Sequence, residues 1–248
     1  MEIGDPSQHP DLIRRKAEPW SLHVHEFLVY LERVGFEGAP HSLGILDGFE
    51  SVTWVDGWAS GIPFDGPLLK PEGLASVGRF LRRFHDAAAG YVPHPDALWA
   101  GGALPLEKGM IIRHGDVGAG NIIWNFGSAT AFIDWEFAQP RYPIHDVALA
   151  AWLLGPLVPL DGQIKAGFPT GAPLKRRLDA LARGYRAFTV SEILDAYHDL
   201  LDFEHGRRRK LGLAGVEPWA GYIKNGQLKR IKDTINWYGS RGKAHILK

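Results

Sequence analysis

The chain has no cysteine and only 2 methionines in 248 residues. The first absence excludes disulfides, thiolate metal sites and a cysteine nucleophile, and it fits a reducing compartment. Net charge is missing too: 28 basic residues balance 28 acidic ones, which argues against bulk affinity for nucleic acid. No apolar run is long enough to span a bilayer. The longest, Val147 to Leu160, is interrupted by Gly155, Pro156 and Pro159. The opening, Met1 to Lys16, is polar and does not read as a signal peptide. A cytoplasmic protein without a membrane partner is the expectation. Two phosphate-binding patterns, G-x-G-x-x-G and G-x-x-x-x-G-K-[ST], are absent, as is the acyl-hydrolase pattern G-x-S-x-G.

What remains suits a globular protein with a sizeable core, since 45% of residues are hydrophobic and 23% charged. No repeat or low-complexity tract stands out. Apolar residues at Val24, Phe27, Leu28, Leu31 and Val34 lie on one helical face, which predicts a helix from Ser21 to Val34, capped by Ser21 and closed by Gly35. Asp47-Gly48 between Ser42–Leu46 and Ser51–Val55 predicts a β-hairpin. The Gly/Pro-rich stretch from Gly57 to Pro71 reads as a linker. A second helix starts at Pro71 and carries Leu74, Val77, Leu81, Phe84 and Ala88 on one face. Short strands are expected at Met110–Ile112, Asn121–Trp124 and Thr130–Asp134, and helices again from His145. The division is a small α+β part, 1–57, followed by a larger, mainly helical part, 58–248. Charge is uneven: His205 to Lys248 holds 11 Lys/Arg against 2 Asp/Glu. Such a tail reads as solvated helix faces or as a contact for an anion.

The chemistry concentrates between Arg113 and Ala148. Asp116 follows His114-Gly115 in a loop after a strand. Asn121 opens one strand of a hairpin and Asp134 closes the other, so both face one point in space. An amide oxygen and a carboxylate are hard ligands suited to Mg²⁺. Asp116 beside them is placed to orient or deprotonate a hydroxyl. That layout serves phosphoryl transfer, in which a metal spreads charge and a separate carboxylate handles the nucleophile.

At these residues the sequence resembles the aminoglycoside phosphotransferase family, relatives of the protein kinases. The resemblance is carried by His114-Gly115-Asp116, by Asn121 and by Ile133-Asp134-Trp135-Glu136. Asp146-Val147-Ala148 and the upstream helix around Val77 to His85 extend it. It implies a bilobal, protein-kinase-like α+β fold with a reduced N-lobe and a mainly helical C-lobe. It makes Asp116 the catalytic base, with Asn121 and Asp134 binding Mg²⁺ and through it the phosphates of ATP or GTP. His114 and Asp146 would hold the catalytic loop in shape. Val52 to Val55, Trp54 included, would form the hinge that meets the base, with Ile123 and Ile133 as its apolar floor. Glu26 on the first helix becomes the ion-pair partner of a phosphate-binding cation. The 20 residues before Ser21 contain one glycine, Gly4, so no Gly-rich loop precedes the helix and the first lobe is truncated. The cation must come from Arg14, Arg15 or Lys16, with Arg15 taken as the contact.

The reading is a Mg²⁺-dependent phosphotransferase that moves a nucleoside triphosphate γ-phosphate to a hydroxyl of a small molecule, an antibiotic or a metabolite. The alternative is a pseudokinase that binds a nucleotide or a partner without turnover. A nucleic-acid module built on the basic tail lacks any motif. Nothing in the sequence sets an oligomeric state.

Overall fold

The structure is a computed structural model that describes residues 12–247. Gly4 and the rest of the segment before residue 12 lie outside the described residues. The described chain forms two compact units, one of residues 12–59 with 80–143, the other of 60–79 with 144–247. The boundary expected at 57/58 rests on the Gly/Pro-rich stretch from Gly57 to Pro71. The division by contact falls elsewhere, because residues 80–143, which include Asn121 and Asp134, cluster with the N-terminal sheet.

The first unit opens with β1 (Leu12–Lys16), a strand whose sequence, LIRRK, gives no apolar alternation. Backbone pairing holds it: β1 runs antiparallel to β3 (Phe49–Thr53), from Leu12 opposite Thr53 to Lys16 opposite Phe49. Between them come α1 (Ser21–Arg33) and β2 (Ser42–Leu46), which pairs with the other edge of β3. The second strand of this hairpin thus starts two residues earlier than the expected Ser51. The reason is the turn: Asp47 (φ 51°) and Gly48 (φ 76°) complete it alone, as a two-residue hairpin loop requires. The cap of α1 also differs from expectation. Trp20 is the N-cap, while Ser21 lies buried in the first turn and accepts the Glu18 N–H at 3.0 Å.

The helix α2 (Pro71–Ala88) begins at its proline as expected. The loop read between Gly90 and Gly109 contains two short paired strands, β4 (Leu98–Trp99) and β5 (Gly102–Ala103). Next come β6 (Ile111–Arg113), β7 (Ile122–Asn125), β8 (Ser128–Phe132) and β9 (Gln139–Arg141), with β7 paired to β8 and β6 to β9. The core of this unit is aromatic. Phe84 meets Trp135 edge-on at 5.0 Å and Phe80 meets Phe132 at 4.6 Å, and all four rings are buried. Edge-to-face pairs of this kind favour one arrangement beyond what burial supplies.

The second unit is helical: α3 (Ile144–Leu153), α4 (Leu160–Lys165), α5 (Leu174–Tyr185), α6 (Val190–Leu213), α7 (Trp219–Lys224) and α8 (Gln227–Ile246). Thr189 and Glu192 form a capping box at the start of α6. Buried Tyr197 donates to Leu157 O at 2.5 Å, and Tyr238 donates to Leu194 O at 2.9 Å. Arg177 is fully buried and donates to the carbonyls of Leu68 (2.7 Å), Leu154 (2.8 Å) and Gly155 (3.0 Å). Burial without a carboxylate partner lowers its pKa to about 10. Part of the basic tail pairs locally: Arg207 reaches Glu204 at 2.8 Å and Lys243 reaches Asp195 at 2.7 Å. No helix among the described residues is long and apolar enough to cross a membrane.

Candidate active site

The His114-Gly115-Asp116 loop leaves β6 through a position that only glycine fits. Gly115 has φ 83°, and a Cβ there would stand 2.1 Å from the Phe137 carbonyl oxygen. His114 is fully buried. Its Nδ1 accepts the Asp116 N–H at 3.2 Å, and its Nε2 lies 3.0 Å from Ile133 O. An acceptor at Nδ1 and a donor at Nε2 define the neutral ring with its proton on Nε2. The ring thereby ties the Asp116 loop to the strand end before Asp134.

Asn121 closes a single 3-10 turn, Ala119–Asn121. Its Nδ2 donates to Asp116 Oδ2 at 2.9 Å and to Asp116 O at 3.0 Å. Its backbone oxygen accepts the Ile133 N–H at 3.0 Å, so the two ends of the β7–β8 hairpin meet as expected. With the amide nitrogen committed, Oδ1 of Asn121 receives no hydrogen bond among the described residues and remains an oxygen donor. Asp134 sits at φ 62°, ψ 66°. That left-handed conformation is costly for a non-glycine residue and marks a site where the surroundings over-determine the backbone.

Arg15 organises the charges. Its Nη1 lies 2.5 Å from Asp134 Oδ1 and 3.6 Å from Glu136 Oε2, and its Nε donates to Glu50 Oε1. Glu50 stands directly opposite Arg15 in the β1–β3 register. Behind it, His25 Nε2 lies 3.3 Å from Glu50 Oε2, and His25 Nδ1 lies 2.7 Å from Ser42 Oγ. Burial alone would raise the Glu50 carboxyl, but hydrogen bonds from His25, Ser21 and Arg15 outweigh it and bring the pKa down to about 2. Burial works against the charge of Arg15 as well, but its bonds to Asp134 and Glu50 hold it well above its ordinary value. Glu136 moves the other way. Burial, then repulsion from Asp134, pushes it up to about 7 against the pull of Arg15, and Asp116 and Glu50 add to the rise. Three carboxylates therefore surround one guanidinium.

A cavity of about 330 Å³ opens beside this network. Its wall includes Trp54 and Val55 after β3, Ile123 and Ile133 from the hairpin, and Arg15, Asn121 and Asp134. Ile13, Val24, Leu28 and Val52 complete an apolar lining. Every residue expected to hold nucleotide or metal thus lines one cavity, and Asp116 joins it through Asn121. Of the three candidate cations, Arg15 is the one in the wall. Arg14 instead lies over the Phe49 ring, 4.4 Å from its centroid, and Lys16 is exposed. Asp146 is buried in the second unit, in the first turn of α3. Glu26 is exposed and does not pair with Arg15. The partner is Glu50, and it is His25 on α1 that turns inward and supports it.

The residues present fit a divalent cation. Asn121 Oδ1 and the Asp134 carboxylate are hard oxygens on residues that line the same cavity, and the surrounding acids outnumber Arg15. No group of three or more His, Cys, Asp or Glu side chains suited to a metal exists among the described residues. Two protein oxygens are the usual share for Mg²⁺, which takes its remaining ligands from phosphates and water.

The sequence profile of the phosphotransferase enzyme family matches residues 94–188, a span containing Asp116, Asn121 and Asp134. The trifolitoxin immunity protein of Rhizobium leguminosarum bv. trifolii is 31% identical over 179 residues, covering 70% of this chain and 67% of the relative. The chain belongs to the phosphotransferase enzyme family. Among solved structures, it superposes on an amicoumacin kinase in complex with AMP-PNP, Ca²⁺ and Ami with a TM-score of 0.59 at 14% identity, over 91% of this chain and 80% of that one. The ethanolamine kinase of Plasmodium vivax gives 0.54 at 12% identity, over 96% and 79%. These likenesses establish a kinase-like α+β fold.

Proposed function

We propose that the protein transfers the γ-phosphoryl group of ATP or GTP to a hydroxyl of a small molecule, using Mg²⁺. The observation that carries this reading is the single cavity whose apolar wall ends at Arg15, Asn121 and Asp134, with Asp116 hydrogen-bonded to Asn121. The base would lie between the Trp54–Val55 segment and the Ile123 and Ile133 side chains, and the triphosphate would run toward Arg15. Mg²⁺, when bound, supplies neutralisation of the charge that builds on the transferring group. Asn121 Oδ1 and the Asp134 carboxylate would hold it. Asp116 orients the acceptor hydroxyl and takes its proton, while Asn121 keeps the carboxylate aimed. His114 positions that loop through its two backbone bonds. Arg15 neutralises phosphate charge, and Glu50 and His25 hold it in place. Positioning and electrostatics supply most of the rate in such a site.

The relative named for immunity to a toxin and the neighbour named an amicoumacin kinase put toxic small molecules and antibiotics first among acceptors, ahead of amino alcohols. Transfer from ATP to a panel of such hydroxyl compounds, followed by ³¹P NMR, tests the reading. It expects a new phosphate ester that forms only with Mg²⁺. A second reading, nucleotide or partner binding without turnover, draws support from Arg15, whose guanidinium is already engaged by Glu50 and Asp134. Metal-dependent thermal stabilisation by ATP, with no ester across the whole panel, favours that second reading. A cytoplasmic location goes with either.

A further inference from the structure

The second unit contains a cavity of about 350 Å³ that shares no residue with the Arg15 cleft. It lies between α4, the start of α5 and the end of α8. Its wall carries three basic side chains, Lys175, Arg241 and His245, and no carboxylate. Among the described residues, none of the three has a hydrogen bond or ion pair. Their neighbours behave differently: Lys243 on the same helix is tied to Asp195 at 2.7 Å, and Lys229 to Asp233 at 2.8 Å. The cavity therefore brings together three basic side chains that have no acidic partner among the described residues.

Most of the rest of the wall is apolar, Thr170 and Gln163 being the polar exceptions. Half-buried Trp237 and buried Ile246 come from α8, and Leu160, 53% exposed, comes from α4. Gln163 also lines the space, but its polar atoms are spent. Its Nε2 donates to Val158 O at 2.8 Å, and its Oε1 accepts the Ala172 N–H at 2.8 Å. Arg241 and His245 both line the cavity, on either side of a break in α8 at Gly242 (φ 67°, ψ 158°), a conformation that glycine tolerates best.

We infer that this cavity binds an organic anion: a small molecule with one carboxylate or phosphate head and a flat apolar body. Lys175 and Arg241 would meet the head with charge-assisted hydrogen bonds, and the His245 ring offers an N–H in either tautomer. The indole of Trp237, with Leu160 and Ile246, would cover the body. The volume is at the small end of ligand pockets, enough for one or two fused rings. The inference does not depend on phosphoryl transfer in the first unit.

The test uses the whole chain labelled with ¹⁵N and the probe naphthalene-2-carboxylate, with 2-naphthylmethanol as the uncharged match. The indole N–H of Trp237, assigned by its loss in Trp237→Phe, should shift on addition of the carboxylate, with a dissociation constant about tenfold below that of the alcohol. The double variant K175E/R241E should weaken the carboxylate by about tenfold or more while leaving the alcohol unchanged. Both residues are exposed, so its thermal midpoint should stay near the original. If the double variant does not fold, Lys175→Ala and Arg241→Ala are measured singly, each expected to weaken the carboxylate about threefold or more. Equal response to acid and alcohol, no shift at Trp237, or insensitivity to these charges would overturn the inference.

Discussion

The hairpins β2–β3 and β7–β8 share a turn. In each, a residue near φ +50° precedes a glycine at φ 76°, Asp47-Gly48 in one and Phe126-Gly127 in the other. Their faces differ. In β7–β8 the apolar residues Ile122, Ile123, Trp124, Ala129, Ala131 and Phe132 are all buried. In β2–β3 the apolar residues Leu43, Ile45, Leu46 and Phe49 are exposed, while Glu50 and Ser51 are buried. One hairpin is held by removing apolar surface from water, the other by backbone pairing and a charged network through Arg15, Glu50 and His25. Both contribute to the wall of the same cavity. The apolar hairpin presents the proposed metal ligands at its ends, and the charged sheet presents the cation. The two should therefore fail in different ways.

The largest effect is expected at the end of the apolar hairpin. Asp116→Asn should lower turnover on the order of 10²–10⁴-fold, with nucleotide binding kept because Asn121 and Asp134 are untouched. Steady-state kinetics on an identified acceptor would check it, and near-normal turnover would remove Asp116 from the role of base. Next comes Trp124→Ala, which removes a fully buried side chain and should cost about 3–5 kcal/mol in urea unfolding. A cost below about 1 kcal/mol would break the contrast between the hairpins.

A smaller effect belongs to the charged sheet. Glu50→Gln leaves Arg15 paired to Asp134 but removes its buried partner. A loss of about 1–3 kcal/mol is expected, below the full cost of breaking a buried pair because Arg15 is itself 40% exposed on its side chain. The change should also alter the acid limb of stability. Glu50 titrates at about 2 when folded, below its ordinary 4.5. Its contribution is therefore complete above about pH 4.5 and is lost as pH falls toward 2. The Gln variant should show a shallower loss over that window. The smallest effect is Phe49→Ala, at a 41% exposed position, expected to stay within about 0.5 kcal/mol.

The same contrast explains what the sequence made legible. In β7–β8 the apolar runs, the turn and the Asp116, Asn121 and Asp134 spacing all lie within 20 residues, so local reasoning places them. The Arg15–Glu50 pair joins residues 35 apart, and its register depends on β1, whose five residues include three cations. No periodicity announces such a strand. Placing Glu26 rather than Glu50 at Arg15 followed from looking only along the first helix. One residue of helix turns a side chain through about 100°, which is the difference between buried His25 and exposed Glu26. The charge count of the basic tail was legible, but which of its cations find an acid was not, because a pair such as Lys243–Asp195 joins residues 48 apart.

The central claim is that Asn121 and Asp134 hold the metal through which a nucleotide binds beside Arg15. Calorimetric titration of ATP in Mg²⁺ and in chelator, on the original chain and on Asp134→Ala, tests it directly. The account predicts binding in Mg²⁺ with a dissociation constant toward the millimolar end, about −4 kcal/mol, and loss of it both in chelator and in the variant. Tight ATP binding that persists without metal and survives Asp134→Ala would contradict it.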